Sequence, residues 1–347
     1  MKKIAINGFG RIGRLFFREV FDKGEFEIAA INDIGSPENF AYLLRYDTVY
    51  GKYGRNVSAD VSGYGSALVV DGKRIPFLSE KDPAKLPWAK LDIDAVLEST
   101  GAFESFEKAG AHCEAGAKRV VISAPAKDTD GSGQYGGGKT IIVGINEDAL
   151  AGIRVSSNGS CTTNAVAPVV KIIEESIGIE KAILNTVHAY TPTQAIVDSP
   201  VKGNDFRRGR AGAQNIVPST TGAALAVSRV IKETKDKFDG IALRVPVPTG
   251  SVADITLISK RDTTVEEIKT IFKKAAAEKK WSGIVKVTED QIVSSDVIGE
   301  PYGAVIDLSL IKVVGGNLVK ILSWYDNEMG YVATLLRHVK AAVQSLK

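Results

Sequence analysis

Cysteine is nearly absent from this chain: Cys113 and Cys161 are the two in 347 residues. So few thiols argue against a disulfide framework and suit a reducing compartment, which points to the cytoplasm. Histidine is almost as scarce, at positions 112, 188 and 338, and none stands at ligand spacing with a cysteine, so no metal centre is expected. No apolar run reaches the roughly 18 residues of a membrane span. The first apolar residues, Ile4–Ile6, run straight into a glycine turn rather than a secretory signal region. A surplus of one charge sign is missing too: 44 basic against 41 acidic residues leave +3, so nucleic acid is not indicated as a partner. The composition is that of a soluble globular protein long enough for two cores.

Glycine, by contrast, is placed where it carries information. The strand Lys3–Ile6 leads into Asn7-Gly8-Phe9-Gly10-Arg11-Ile12-Gly13-Arg14. Gly8-x-Gly10-x-x-Gly13 allows a tight turn, a close backbone approach to a pyrophosphate, and close packing of helix on strand. Ile12, Leu15, Phe16 and Val20 follow at helical spacing, and Gly24 supplies a stop. A second strand, Phe26–Ile31, ends in Asn32-Asp33. Asp33 falls about 20 residues after the motif, where a carboxylate accepts the adenosine ribose hydroxyls and repels a 2′-phosphate. Asp94–Glu98, Arg119–Ser123 and Thr140–Gly144 read as further strands, with a helix near Phe106–Gly116 that includes His112. This alternation implies an α/β, Rossmann-type, doubly wound parallel sheet. Its ligand would lie at the strand ends, beside Asn7–Gly13, Asp33, Ser99-Thr100-Gly101 and Ser123-Ala124-Pro125. Val61–Phe77 is weakly hairpin-like, and the glycine-rich Asp128–Lys139 reads as a mobile surface loop.

The pattern changes after Cys161. Lys181–Tyr190, Gly240–Val247, Val252–Ser259, Ala304–Ile311 and Leu318–Trp324 are strand-like, and Gly315-Gly316-Asn317 marks a hairpin. Thr264-x-x-Glu267 is a capping box that opens a helix to about Lys279. This half is an α+β catalytic domain with a mostly antiparallel sheet. The last helix, Tyr331–Leu346, with His338 on one face, returns to the first domain. The expected domains are therefore residues 1–160, 161–326 and 327–347.

Ser160-Cys161-Thr162-Thr163-Asn164 sets a thiol among small polar residues that open a helix, where free N–H groups and the helix dipole would lower its pKa. His188, at the end of the strand Ile183–Val187, is a natural partner for the sulfur and the base of a covalent mechanism. A dinucleotide site with a Cys–His pair suggests hydride transfer from an aldehyde held on sulfur, with the Cys161 N–H as an oxyanion donor. Thr191 could fix an anion with an arginine of the Arg207–Arg210 cluster or with Arg244, which interrupts an apolar strand. Ser219-Thr220-Thr221-Gly222 looks like a helix N-terminus suited to phosphate. Together these favour a small phosphorylated aldehyde and inorganic phosphate.

Nearly the whole chain resembles the phosphorylating glyceraldehyde-3-phosphate dehydrogenase family. The likeness runs from the Ile4–Arg14 motif through Ser160–Asn164, His188-Ala189-Tyr190-Thr191 and Gln214–Ser219 to Ser323-Trp324-Tyr325-Asp326-Asn327-Glu328. It implies Cys161 as nucleophile and His188 as base, with NAD as cofactor on Gly8, Phe9, Gly10, Arg11, Ile12, Gly13, Asp33 and Ser123. It also implies Asn327 at the nicotinamide carboxamide, with Tyr331 nearby. Thr191 and Arg244 would hold the substrate phosphate. Ser160, Thr162, Thr221 and Gly222 would hold attacking phosphate, beside Arg208 or Arg210, and the motif does not choose between those two. The resemblance further implies a cytosolic homotetramer of glycolysis or gluconeogenesis, with Asp198–Arg210 near a neighbouring subunit's cofactor. Ala165 stands where the family usually has a second cysteine, Pro192-Thr193 follows Thr191, and the Asp128–Lys139 segment is longer than usual. Ser199 leaves NADP open as a second cofactor. Thr191 argues against the related erythrose-4-phosphate dehydrogenases, and the intact Cys161, His188, Thr221 and Arg244 argue against a nucleotide-binding scaffold without turnover.

Overall fold

The computed structural model describes residues 1–62, 65–201 and 203–346. The chain forms two compact units: residues 1–141, 146–159 and 335–347 in one, 142–145 and 160–334 in the other.

The first unit is built on a 9-stranded sheet. In spatial order its strands are Lys139–Thr140, Val155–Ser157, Arg119–Ile122, Ala95–Glu98, Lys2–Asn7, Phe26–Asn32, Lys73–Leu78, Ala67–Val70 and Val57–Asp60. Pairing is parallel from the first of these through Lys73–Leu78, and the remaining two strands pair antiparallel. The strand order turns back between Lys2–Asn7 and Ala95–Glu98, the kind of switch point where an open α/β sheet binds ligands. The helix Arg11–Val20 buries Leu15, Phe16, Phe17 and Val20. The hairpin-like reading of Val61–Phe77 resolves into the Ala67–Val70/Lys73–Leu78 hairpin, with residues 63–64 outside the described part.

Two expectations for this unit change. Thr140–Gly144 is a strand only at Lys139–Thr140; Ile142–Ile145 leaves the sheet, and Ile142 joins the core of the second unit. The Asp128–Lys139 segment is also packed rather than loose. Asp128 accepts the N–H groups of Phe106 and Glu107, at 2.9 and 3.2 Å, across the start of the Phe106–Ala109 helix. Asp130 accepts from the amide and hydroxyl of Thr140. The Gly138 Cα rests on the Phe106 ring so closely that a Cβ would overlap it. Glycine serves close approach here, which composition alone reads as looseness.

The second unit carries a 7-stranded sheet in the order Val217–Thr220, Phe238–Val245, Ile179–Ala189, Ser251–Ser259, Leu318–Tyr325, Ala304–Val314 and Val285–Thr288. Only the Ile179–Ala189/Phe238–Val245 and Val285–Thr288/Ala304–Val314 pairs are parallel. Residues alternate strictly along Ser251–Ser259, with Ser251, Ala253, Ile255, Leu257 and Ser259 buried on one face. The helices Cys161–Ser176, Ala223–Val230 and Val265–Ala277 supply Val169, Ile173, Val227, Ile268 and Phe272 to the core on that face. Thr264 caps the last of these by accepting the Glu267 N–H, while the Glu267 carboxylate turns to Arg261 and Thr263 instead of closing the expected box.

Candidate active site

Ser160 is the N-cap of the Cys161–Ser176 helix: its hydroxyl accepts the Thr163 N–H at 3.0 Å, and the Thr163 hydroxyl accepts the Ser160 N–H at 3.3 Å. Cys161 is therefore the first helical residue, and its Sγ lies 3.3 Å from His188 Nε2. Sheet register explains what surrounds that histidine. His188 is the Cα partner of Arg244 on the neighbouring parallel strand. Leu184, Thr186 and His188 alternate onto the core face, which Tyr325 reaches from the strand Leu318–Tyr325. The Tyr325 hydroxyl bonds Thr162 Oγ1 at 2.9 Å and Thr186 Oγ1 at 2.8 Å, and its ring meets the His188 ring edge-on at 6.0 Å.

The electrostatics correct one expectation. The helix start does favour a thiolate, through the N–H groups of Cys161 and Thr162, and Arg244 pulls the same way. Burial outweighs them and raises the thiol above its usual range. Burial, seconded by the Arg244 charge, pushes His188 down to about 3. Burial thus opposes charge on both groups, against the lowered thiol pKa expected from the helix start alone.

The anion-site residues fall into two groups. Thr191 Oγ1 lies 2.9 Å from Thr193 Oγ1, and Arg208 Nη1 lies 3.4 Å from the same Thr193 hydroxyl. Arg208 also bonds Ser219 and Asp205, and its charge reaches Arg244. Arg210 instead pairs with Asp198 at 2.8 Å and is mostly exposed. Gly222 is the N-cap of the Ala223–Val230 helix, with no side-chain cap, and Thr221 Oγ1 accepts the Ala223 N–H at 3.2 Å. The Thr162 hydroxyl faces inward onto Tyr325 and is buried. Sequence reasoning missed Thr193 and Tyr325. Both lie inside recognised motifs, but a hydroxyl's partner across a sheet or loop has no local signature.

In the first unit, a cavity of about 300 Å³ is lined by Asn7, Gly8, Gly10, Asn32, Asp33 and Thr100 among others. Gly8, at φ +95°, lies so close to the Ser99–Thr100 backbone that a Cβ would collide, and a Cβ on Gly13 would meet the Gly8 carbonyl. Gly10 meets nothing within 4 Å. It lines the cavity and caps the Arg11–Val20 helix without a side-chain bond, which sets that helix start against the cavity. Asp33 holds the Phe9 N–H at 2.7 Å and lines the cavity. This cradle fits a dinucleotide. The side chain of Phe9 is buried among Phe17, Phe40 and Phe77, and Arg11 turns to Asp47 at 2.6 Å, so neither side chain forms the cradle. Ser123 stands at its strand end, its N–H bonded to the Glu98 carbonyl. Beneath the cavity is a buried network that the sequence did not announce. Trp88 Nε1 donates to His112 Nδ1 at 2.9 Å, leaving His112 Nε2 to donate to Glu98 at 3.0 Å, and Glu98 also takes Asn7 and Thr100.

In the second unit, Asn327 Oδ1 accepts from Ser251 at 2.9 Å and Thr249 at 3.1 Å, and Tyr331 is buried in the Met329–Gln344 helix. Among the described residues no helix is long and apolar enough to cross a membrane.

The family model described as glyceraldehyde 3-phosphate dehydrogenase, NAD binding domain, matches residues 2–106, and that of the C-terminal domain matches residues 160–327. Glyceraldehyde-3-phosphate dehydrogenase of Streptomyces coelicolor is 49% identical over 332 residues, 95% of each chain. That of Clostridium pasteurianum is 47% identical over 341 residues, 97% of each. Glyceraldehyde-3-phosphate dehydrogenase 2 of Bacillus subtilis is 45% identical over 347 residues, 99% of this chain and 98% of the relative.

Proposed function

Since this chain belongs to the glyceraldehyde-3-phosphate dehydrogenase family and performs its glycolytic, NAD-dependent reaction, we propose that Cys161 and His188 carry the chemistry on glyceraldehyde 3-phosphate. The observation that supports this most is the 3.3 Å approach of Cys161 Sγ to His188 Nε2 at a capped helix start.

His188 Nε2 takes the thiol proton as Sγ adds to the aldehyde carbon, and returns it to the alkoxide to give a thiohemiacetal. The Cys161 N–H donates to the oxygen as charge develops there. NAD, held in the first unit by Gly8, Gly10, Gly13 and Asp33, supplies the hydride acceptor. As the hydride leaves carbon, His188 removes the hydroxyl proton and a thioester remains on Cys161. Inorganic phosphate then attacks that carbon and the C–S bond breaks, giving 1,3-bisphosphoglycerate and the free sulfur.

Arg244, Thr191 and Thr193 hold the substrate phosphate, and Arg208 serves the anion sites in preference to Arg210. Arg208 shares Thr193 with Thr191, whereas Arg210 is occupied by Asp198. Ser160, Thr221 and Gly222 offer a hydroxyl, a hydroxyl and a backbone amide to attacking phosphate, and Thr162 contributes through its backbone. Asn327, fixed by Ser251 and Thr249, presents its amide to the nicotinamide carboxamide. Copies assemble as a cytoplasmic homotetramer. In support, Ile183 and Ile241 lie exposed on the sheet face opposite the core, and Ile196, Val197 and Phe206 are more than two-thirds exposed.

The test is mass spectrometry of enzyme mixed with NAD and substrate while phosphate is withheld. An acyl group on the Cys161 peptide supports the assignment. A modified Cys113, or no adduct during NADH formation, contradicts it.

A further inference from the structure

The first unit holds a buried histidine and a buried carboxylate that the chemistry at Cys161 does not use. Glu98, Asn7 and Asn32 end three neighbouring parallel strands, and the register sets Asn7 level with both of the others. All three are buried, and the Trp88 and His112 side chains behind them are wholly so.

Donors and acceptors along this row can be ordered from one end. An indole nitrogen only donates, so Trp88 Nε1, 2.9 Å from His112 Nδ1, requires that ring nitrogen to be bare. The neutral ring then carries its proton on Nε2, which donates to Glu98 Oε2 at 3.0 Å. Asn7 Nδ2 donates to the same oxygen, and Glu98 Oε1 accepts the Thr100 N–H at 2.8 Å and the Thr100 hydroxyl. Asn7 Nδ2 also lies 3.3 Å from His112 Nε2, but both nitrogens carry hydrogen and both are directed at Oε2. Four donors thus converge on Glu98, which suits a carboxylate, a group that only accepts. With Nδ2 spent on Glu98, Asn7 has Oδ1 left to accept Asn32 Nδ2 at 2.7 Å. Asn32 in turn brackets the Glu80 backbone, donating to its carbonyl and accepting its N–H, both at 2.9 Å.

Asn7, Asn32, Glu80 and Thr100 line the cavity of about 300 Å³, and Trp88, His112 and Glu98 stand behind that wall. Phe103 lines it too, and its ring meets His112 edge-on at 6.3 Å. We propose that His112 is a positioning residue of the dinucleotide site: clamped between the Trp88 indole and Glu98, it fixes through that carboxylate the side chains of Asn7, Asn32 and Thr100, and so sets the affinity for the cofactor. The proposal rests on the reading of this cavity as the dinucleotide site. Without the Nε2–H donor a buried carboxylate is one hydrogen bond short, and it regains a partner only by turning or by drawing water in from the cavity. Either movement unseats Thr100 and the Asn7–Asn32–Glu80 row together. No bond made or broken in the reaction passes through these groups, so the effect falls on cofactor binding and not on the chemical step.

Steady-state kinetics with NAD varied test this. His112→Leu is expected to raise KM for NAD by roughly 10-fold or more, while kcat at saturating NAD and KM for glyceraldehyde 3-phosphate stay within about threefold. His112→Gln, whose amide again offers one acceptor and one donor, is expected to restore most of the affinity. Glu98→Gln keeps the shape but turns one acceptor into a donor facing donors, and is expected to raise KM for NAD as His112→Leu does. A lowered Tm in His112→Leu and Glu98→Gln with unchanged KM for NAD marks a structural role alone and overturns the proposal, as does a fall in kcat as large as the rise in KM. Nitrogen-15 NMR of histidine-labelled enzyme needs no variant at position 112 to fold. With the other two histidines identified through His188→Asn and His338→Gln, the remaining ring should be bare at Nδ1 and protonated at Nε2, and a proton on Nδ1 overturns the clamp. Asp33→Ala, which alters the cavity wall directly, separates the two readings. Unchanged KM for NAD in that variant overturns the cavity as the dinucleotide site, whereas a raised KM there with no change in His112→Leu and Glu98→Gln overturns the role of His112 alone.

Discussion

Cys161 Sγ stands 3.3 Å from His188 Nε2, yet burial drives the two groups apart in proton affinity, raising the thiol and lowering the imidazole to about 3. Arg244 Nη1, 2.7 Å from His188 Nδ1, is the cation in contact with the pair.

Removing either member should cost catalysis rather than binding. Cys161→Ser should lose dehydrogenase activity by more than about 10³-fold, and His188→Asn by about 10²–10⁴-fold in kcat. NAD binding, followed by quenching of protein fluorescence, should stay within a few-fold of wild type in both. Near-normal turnover by Cys161→Ser contradicts the nucleophile assignment.

Arg208 and Arg210 should separate cleanly. A charge-assisted hydrogen bond contributes about 1.5–3 kcal/mol, so Arg208→Ala should lower kcat/KM for substrate or phosphate by roughly 10–100-fold. Arg210→Ala, which frees only an exposed pair with Asp198, should change the same constants by less than about threefold if subunit assembly is intact. Steady-state kinetics with each anion varied decide the matter, and equal losses contradict the assignment.

Cysteine and glycine show what local sequence can and cannot reveal. The Gly8–Gly13 turn and the Ser160 cap were legible because their partners lie within a few residues. Tyr325 against Thr162 and Thr186 was not, because sheet register brings them together across the chain. The direction of the Cys161 pKa was misread for the same reason: the helix end is local, whereas burial belongs to the folded unit. Asp128–Lys139 was misread because glycine permits both looseness and close contact, and the Phe106 ring that selects the second is distant in sequence.

Close contact at Gly138 has a measurable cost. Gly138→Ala forces a methyl into the Phe106 ring and should destabilise the fold by about 1–3 kcal/mol, seen as a lower Tm or urea midpoint. An unchanged midpoint contradicts the packed segment.

His338 predicts an acid sensitivity. It is buried between Ser156 and Asn158 and its pKa is lowered to about 3. Unfolded, it binds a proton near pH 6.5, so between about 6.5 and 3 the unfolded state holds more protons and stability falls as pH falls. The contribution approaches about 1.4 kcal/mol per pH unit for this one group. His338→Gln should be less stable at pH 7 but lose less between pH 6.5 and 4.5 in urea titrations. Parallel losses in both proteins contradict the buried neutral imidazole.

The most direct measurement is NADH formation from glyceraldehyde 3-phosphate and NAD, with and without inorganic phosphate, at enzyme concentrations that resolve one turnover. A burst of at most one NADH per Cys161 without phosphate, followed by sustained turnover when phosphate is added, is the expected result, absent from Cys161→Ser. Sustained turnover without phosphate, or a burst that survives the loss of Cys161, contradicts the account.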